Sequence, residues 1–140
     1  MPEKTRTAFI VSHTHWDREW YLPYHRFRVN LIRVVDGVLD ALESDESFEH
    51  FVLDGQAVVL EDYLEARPEN AERIAKLVRL GALSLGPWYV LPDEFLVSGE
   101  ATVRNLLVGN AVAKEFVSAK STSTRRAFNV APNSSSKVAN

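Results

Sequence analysis

Ala8-Phe9-Ile10-Val11-Ser12-His13-Thr14-His15-Trp16-Asp17 decides the reading of this chain. An unbroken apolar run of four residues is the form taken by a strand buried on both faces of a parallel sheet. It gives way at once to a polar and aromatic cluster, and open α/β sheets place ligand sites at the carboxyl ends of their strands. The segment therefore predicts both an α/β architecture and the place where chemistry would sit.

Downstream, Val29, Ile32, Val35, Val38, Leu39 and Leu42 recur at the spacing of an amphipathic helix over 29–43. His50-Phe51-Val52-Leu53 before Asp54-Gly55 reads as a second strand ending in a turn. Helices are expected at 58–65 and 69–80, with Pro68 in the first turn of the latter and Gly81 as its stop. Ala82-Leu83-Ser84-Leu85 reads as a third strand, and a helix over 100–116 follows the cap candidate Ser98. Strands alternating with helices at this spacing predict parallel pairing.

With 140 residues, 46% of them hydrophobic, the chain is long enough for one buried core and too short for two ordinary domains. It contains no apolar run of membrane-spanning length and no secretory cleavage pattern, so a cytoplasmic protein is expected. The absence of cysteine excludes thiolate ligands, which leaves imidazole and carboxylate for any metal. A net charge of −3 speaks against nucleic acid as partner, but that charge is uneven. Residues 1–116 carry 12 Lys/Arg and all 19 Asp/Glu, whereas 117–140 carry 4 Lys/Arg and no acid. The latter stretch, rich in Ser and Thr, is expected to be a disordered tail.

Alternate residues leaving a strand point the same way, so His15 and Asp17 can present adjacent N and O ligands to one divalent ion such as zinc. The plainer alternative is a hydrogen-bonded His-x-Asp pair in a loop. Arg18, Glu19, Trp20 and Tyr21 extend the cluster, and aromatic rings beside an ion suit a saccharide, although Trp20 and Tyr21 are equally eligible for a core. A second cluster, Gly86 to Phe95, also follows a predicted strand and is expected to converge on the same rim. Its Asp93-Glu94 pair is read as structural, because adjacent carboxylates rarely converge on one substrate. His25 and His50 are read as surface residues.

His13-Thr14-His15-Trp16-Asp17-Arg18-Glu19-Trp20-Tyr21 resembles the N-terminal signature of the family 38 glycoside hydrolases in its bacterial and cytosolic form. Phe51 to Gln56, the block from Gly86 through Glu100, and Val103 to Leu107 resemble its next blocks in the right order. The resemblance covers residues 7–116 and implies a zinc-dependent retaining α-mannosidase acting on mannose-containing oligosaccharides, with a β/α barrel-like domain and frequent oligomerisation. It implies that His15 and Asp17 are two of the zinc ligands and that Trp20 lines the mannose site. The nucleophilic Asp of the family lies in a Pro-Asp-x-Phe-Gly-His-like block after the position of Phe116, and this chain has no such block. Retaining hydrolysis needs two carboxyl groups about 5 Å apart. No catalytic residue is thus assigned here, and a partial barrel truncated or frameshifted after about Phe116, catalytically incomplete and prone to aggregate, is expected. A non-catalytic metal- or sugar-binding module is the alternative; a metal-dependent sugar deacetylase fits the block from Trp88 to Glu100 less well.

Overall fold

Helix α1, Tyr24–Ser44, starts five residues before the apolar periodicity does, because Pro23 stands in extended conformation at its N-cap and its carbonyl accepts from the Arg26 amide. In this computed structural model, which describes residues 6–118, α1 buries Phe27, Leu31, Val35 and Leu39. That face is rotated from the one expected, so Val29 is exposed while Ile32, Val38 and Leu42 only flank the core.

Strand β1, Phe51–Val52, pairs in parallel with β2, Leu83–Ser84, and α2, Val58–Leu64, and α3, Ala71–Arg79, lie between them in sequence. A short 3-10 turn, Pro68–Asn70, leads into α3. The end of α3 is a Schellman motif: Gly81, at φ 74°, donates to Val78 and Ala82 donates to Leu77, which satisfies carbonyls the helix leaves open. Helix α4, Gly99–Ser118, is capped by Ser98, whose Oγ accepts from the Ala101 amide. The predicted tail at 117–140 lies outside the described residues apart from Val117 and Ser118, which end α4.

α2 is buried along nearly its whole length, packs against α1, and shares one core cluster with Leu31, Leu39, Leu53, Ile74, Leu83 and Phe116. The fold is thus helix-rich, with a small two-stranded parallel sheet. No helix among the described residues is long and apolar enough to cross a membrane.

The buried strand expected at 8–11 does not form. Only the segment just beyond it joins the sheet, where Val52 donates to the Ser12 carbonyl and Thr14 donates back to Val52. Phe9 and Ile10 are 88% and 97% exposed. A continuous apolar run becomes a buried strand only when both faces are covered, and no described element packs over 8–11.

Tyr63, at the centre of the core, donates its hydroxyl to Asp36 and accepts from Asn70. Burial, reinforced by Asp36, pushes its phenol up to about 12. Because the unfolded chain loses this proton near its ordinary value of 10, the stabilisation is complete below pH 10 and is lost as pH rises towards 12. Urea unfolding should therefore lose on the order of 2 kcal/mol across that window, with a shallower decline in Tyr63→Phe.

Candidate functional site

Residues 11 to 18 alternate strictly between the outer and inner side of the segment that joins β1. Ser12, Thr14, Trp16 and Arg18 turn inward, while His13, His15 and Asp17 face out. The extended backbone dictates this period of two, and it delivers what the spacing predicted. His15 Nε2 lies 3.5 Å from Asp17 Oδ1, both side chains open to solvent.

Two side chains that follow β1 hold the backbone of the segment at Trp16. Asp54 Oδ2 accepts from the Trp16 amide at 2.6 Å, and Gln56 Nε2 donates to the Trp16 carbonyl at 2.7 Å and to the same Asp54 oxygen at 2.6 Å. Further on, Arg18 grips Asp62 of α2 with Nε at 2.6 Å and Nη2 at 2.8 Å, and Tyr24 donates to Asp62 Oδ1 at 2.9 Å. The paired carboxylate holds the Arg18 guanidinium well above its ordinary value against the opposing effect of burial, so Arg18 stays cationic at any working pH. Trp16 itself turns into the core and meets Phe27 edge to face, with centroids 6.1 Å apart.

The two clusters do converge. Gln56 bridges in parallel to Trp88, and its Oε1 faces the Leu91 amide at 3.4 Å while its amide nitrogen holds Trp16. The first amides of α2 find no side-chain cap; Ala57 and Val58 instead donate to the carbonyls of Trp88 and Tyr89 at 2.8 and 2.9 Å. Tyr89 sends its hydroxyl to Glu61 at 2.7 Å, and burial followed by that bond pushes the phenol up to about 12. From α4, Asn105 accepts from the amides of Tyr89 and Val90 through Oδ1 and donates to the Val90 carbonyl at 2.6 Å, so one side chain pairs with the block as a strand would. The same helix approaches so closely at Gly109 that an added Cβ would lie 2.3 Å from the Pro87 carbonyl oxygen.

Asp93 closes a local turn, its carbonyl accepting from Leu96 and its Oδ1 from Phe95, in keeping with a structural role. His50 is tied to the sheet, with Nδ1 at 2.7 Å from the Gly81 carbonyl and Nε2 at 3.1 Å from Ser84 Oγ. Trp20 stands 76% exposed on the outside of the segment, and Tyr21 packs edge to face on Phe27. Sequence reasoning gave no role in the site to Asp54, Gln56, Asp62 or Asn105, four side chains that hold it together.

Zinc held in a tetrahedron with ligands at about 2.1 Å has those ligands about 3.4 Å apart. The His15 to Asp17 separation fits two corners of such a site. Among the described residues no group of three or more His, Cys, Asp or Glu is placed to hold a metal ion.

The model of the glycosyl hydrolases family 38 N-terminal domain matches residues 5–127, past Phe116. A "Putative mannosylglycerate hydrolase" of Halalkalibacterium halodurans is 50% identical over 104 residues, covering 74% of this chain and 12% of that protein. The crystal structure of an alpha-mannosidase from Enterococcus faecalis superposes with a TM-score of 0.74 at 50% identity, over 76% of this chain and 12% of its own. A second family 38 protein from Enterococcus faecalis gives 0.70 at 47% identity, over 77% and 12%. The chain spans about 12% of the length of these relatives. With the family model matched over residues 5–127, the chain belongs to glycosyl hydrolase family 38, whose N-terminal domain it matches.

Proposed function

We propose that residues 1–116 are the N-terminal portion of the catalytic domain of a zinc-dependent retaining α-mannosidase, a β/α barrel-like domain acting on mannose-containing oligosaccharides in the cytoplasm. The observation that carries this reading is the outward pair His15 and Asp17, 3.5 Å apart on a segment fixed from behind. Zinc, when bound, would orient substrate hydroxyls and stabilise developing negative charge. His15 and Asp17 would hold it, and the exposed indole of Trp20 offers a face for the sugar ring. Hydrolysis with retention further requires a nucleophilic and a proton-transferring carboxyl group, and no carboxylate of this chain is assigned to either task.

Two protein ligands leave the ion with most of its hydration shell, so calorimetric titration of the purified chain should give a zinc affinity of roughly micromolar or weaker. His15→Ala should abolish what binding there is, while an aryl α-mannoside and mannosylglycerate both go unhydrolysed by the chain alone. Unchanged zinc binding in His15→Ala would remove the metal assignment, and measurable turnover would overturn the reading that this chain lacks catalytic carboxylates. A sub-micromolar affinity in a folded monomer would instead favour a metal-binding module.

A further inference from the structure

His15 has an acid on each side of its ring. Its imidazole lies between two carboxylates: Nε2 faces Asp17 Oδ1 at 3.5 Å and Nδ1 faces Asp54 Oδ1 at 3.7 Å. The two acids differ in kind. Asp17 is open to solvent, whereas the Asp54 side chain is only 6% exposed and is locked by two hydrogen bonds through Oδ2, from the Trp16 amide and from Gln56. Those bonds leave Oδ1 as the oxygen turned towards His15.

The backbone maintains this arrangement against its own preference. Asp54 sits at φ 45° and Gly55 at φ 62°, two successive left-handed residues at the end of β1, and Asp54 is the non-glycine with positive φ among the described residues. Asparagine and aspartate tolerate that conformation better than other L-residues, yet a glycine would adopt it without strain. The carboxylate is therefore what position 54 contributes.

We propose that Asp54 is a positioning residue for His15: its Oδ1 accepts the Nδ1 proton, fixes the Nδ1–H tautomer, and so leaves the Nε2 lone pair beside Asp17 as a ready ligand. At 3.7 Å the two atoms are just outside hydrogen-bond range, and a small rotation of the exposed ring closes the gap. A metal-binding histidine is held through its other nitrogen in just such a manner, and loss of the outer partner weakens metal affinity about 10- to 100-fold. The proposal rests on His15 and Asp17 being the metal pair, but the tautomer itself can be read without metal.

The test uses the whole chain with 15N-labelled histidine, free of metal, at a pH where the ring is neutral, with His15 assigned by the loss of its signals in His15→Ala. The expected result is Nδ1–H at His15, against the ordinary preference of a free histidine side chain for Nε2–H. Asp54→Asn, which keeps an oxygen for the Trp16 amide but can turn an N–H towards Nδ1, should switch the ring to Nε2–H and weaken zinc binding about 10- to 100-fold. An Nε2–H ring in the unaltered chain would overturn the proposal, as would an Asp54→Asn variant with unchanged tautomer and zinc affinity. If that variant fails to fold, the tautomer of the unaltered chain decides alone. An Nδ1–H ring in a chain that binds no zinc keeps the positioning role and sinks the metal reading; zinc bound through an Nε2–H ring's other nitrogen does the reverse.

Discussion

Gly109→Ala, a change that normally stabilises a helix, is expected to destabilise this protein by about 3 kcal/mol or more. The added Cβ would meet the Pro87 carbonyl oxygen at 2.3 Å, the Trp88 carbonyl carbon at 2.3 Å and the Tyr89 amide at 2.4 Å, all of them backbone. Backbone cannot rotate away as a side chain tip can, so α4 must withdraw from the block. Asn105 would then release the amides of Tyr89 and Val90, and the carbonyls that cap α2 would shift with them. Gly37→Ala in α1 is the control, because nothing lies within 4 Å of its added Cβ. It should gain about 0.5–1 kcal/mol. Urea unfolding of both variants, followed by tryptophan fluorescence, checks the pair; a neutral Gly109→Ala would show that α4 does not press on the block in solution.

Asp62→Ala should have the next largest effect, a loss of about 3 kcal/mol, the lower end of what is expected for breaking a buried ion pair because Arg18 keeps some contact with solvent. The carboxylate accepts from Nε and Nη2 of Arg18 and from the hydroxyl of Tyr24, so its removal strands a partly buried cation as well as a phenol. Asp62→Asn retains an oxygen for one of these donors and should cost less. The functional consequence is separable from the loss of stability: at a temperature where both variants remain folded, freeing Arg18 loosens the backbone that carries Asp17, and zinc affinity should fall with it. Zinc binding equal to that of the unaltered chain would mean that Asp54 and Gln56 suffice to hold the segment.

Much of this was legible in the sequence, since Gly81, Ser98 and the Asp54-Gly55 turn mark their boundaries through local backbone chemistry that needs no tertiary partner. The outward pairing of His15 and Asp17 was equally legible, because a period of two is a property of any extended segment. The start of α1 was missed because Tyr24 to Arg28 carries mixed polarity, although Pro23 was a usable signal. Ala8 to Val11 misled for a different reason: its apolar run specifies burial, and burial is supplied by other elements. Asp62 could have been suspected, since an acid inside the otherwise apolar stretch from Val58 to Leu64 must find a partner. Gln56 and Asn105 could not, because only the fold shows which backbone groups they complete.

The parallel bridges carry a consequence for how the chain reaches this state. Phe51 meets Leu83 and Gln56 meets Trp88, in each case 32 residues along the chain, and His13 meets Val52 after 39. None of these contacts can be made by a hairpin zipping outward from a turn, and each requires that a long loop be closed before any stabilisation is returned. The helices between them can form early and locally, and the segment bearing His15 and Asp17 is expected to dock only after α2 has found its place. Refolding followed at Trp16 should therefore lag behind helix formation followed by circular dichroism, with His15 and Asp17 among the last residues of the molecule to be placed.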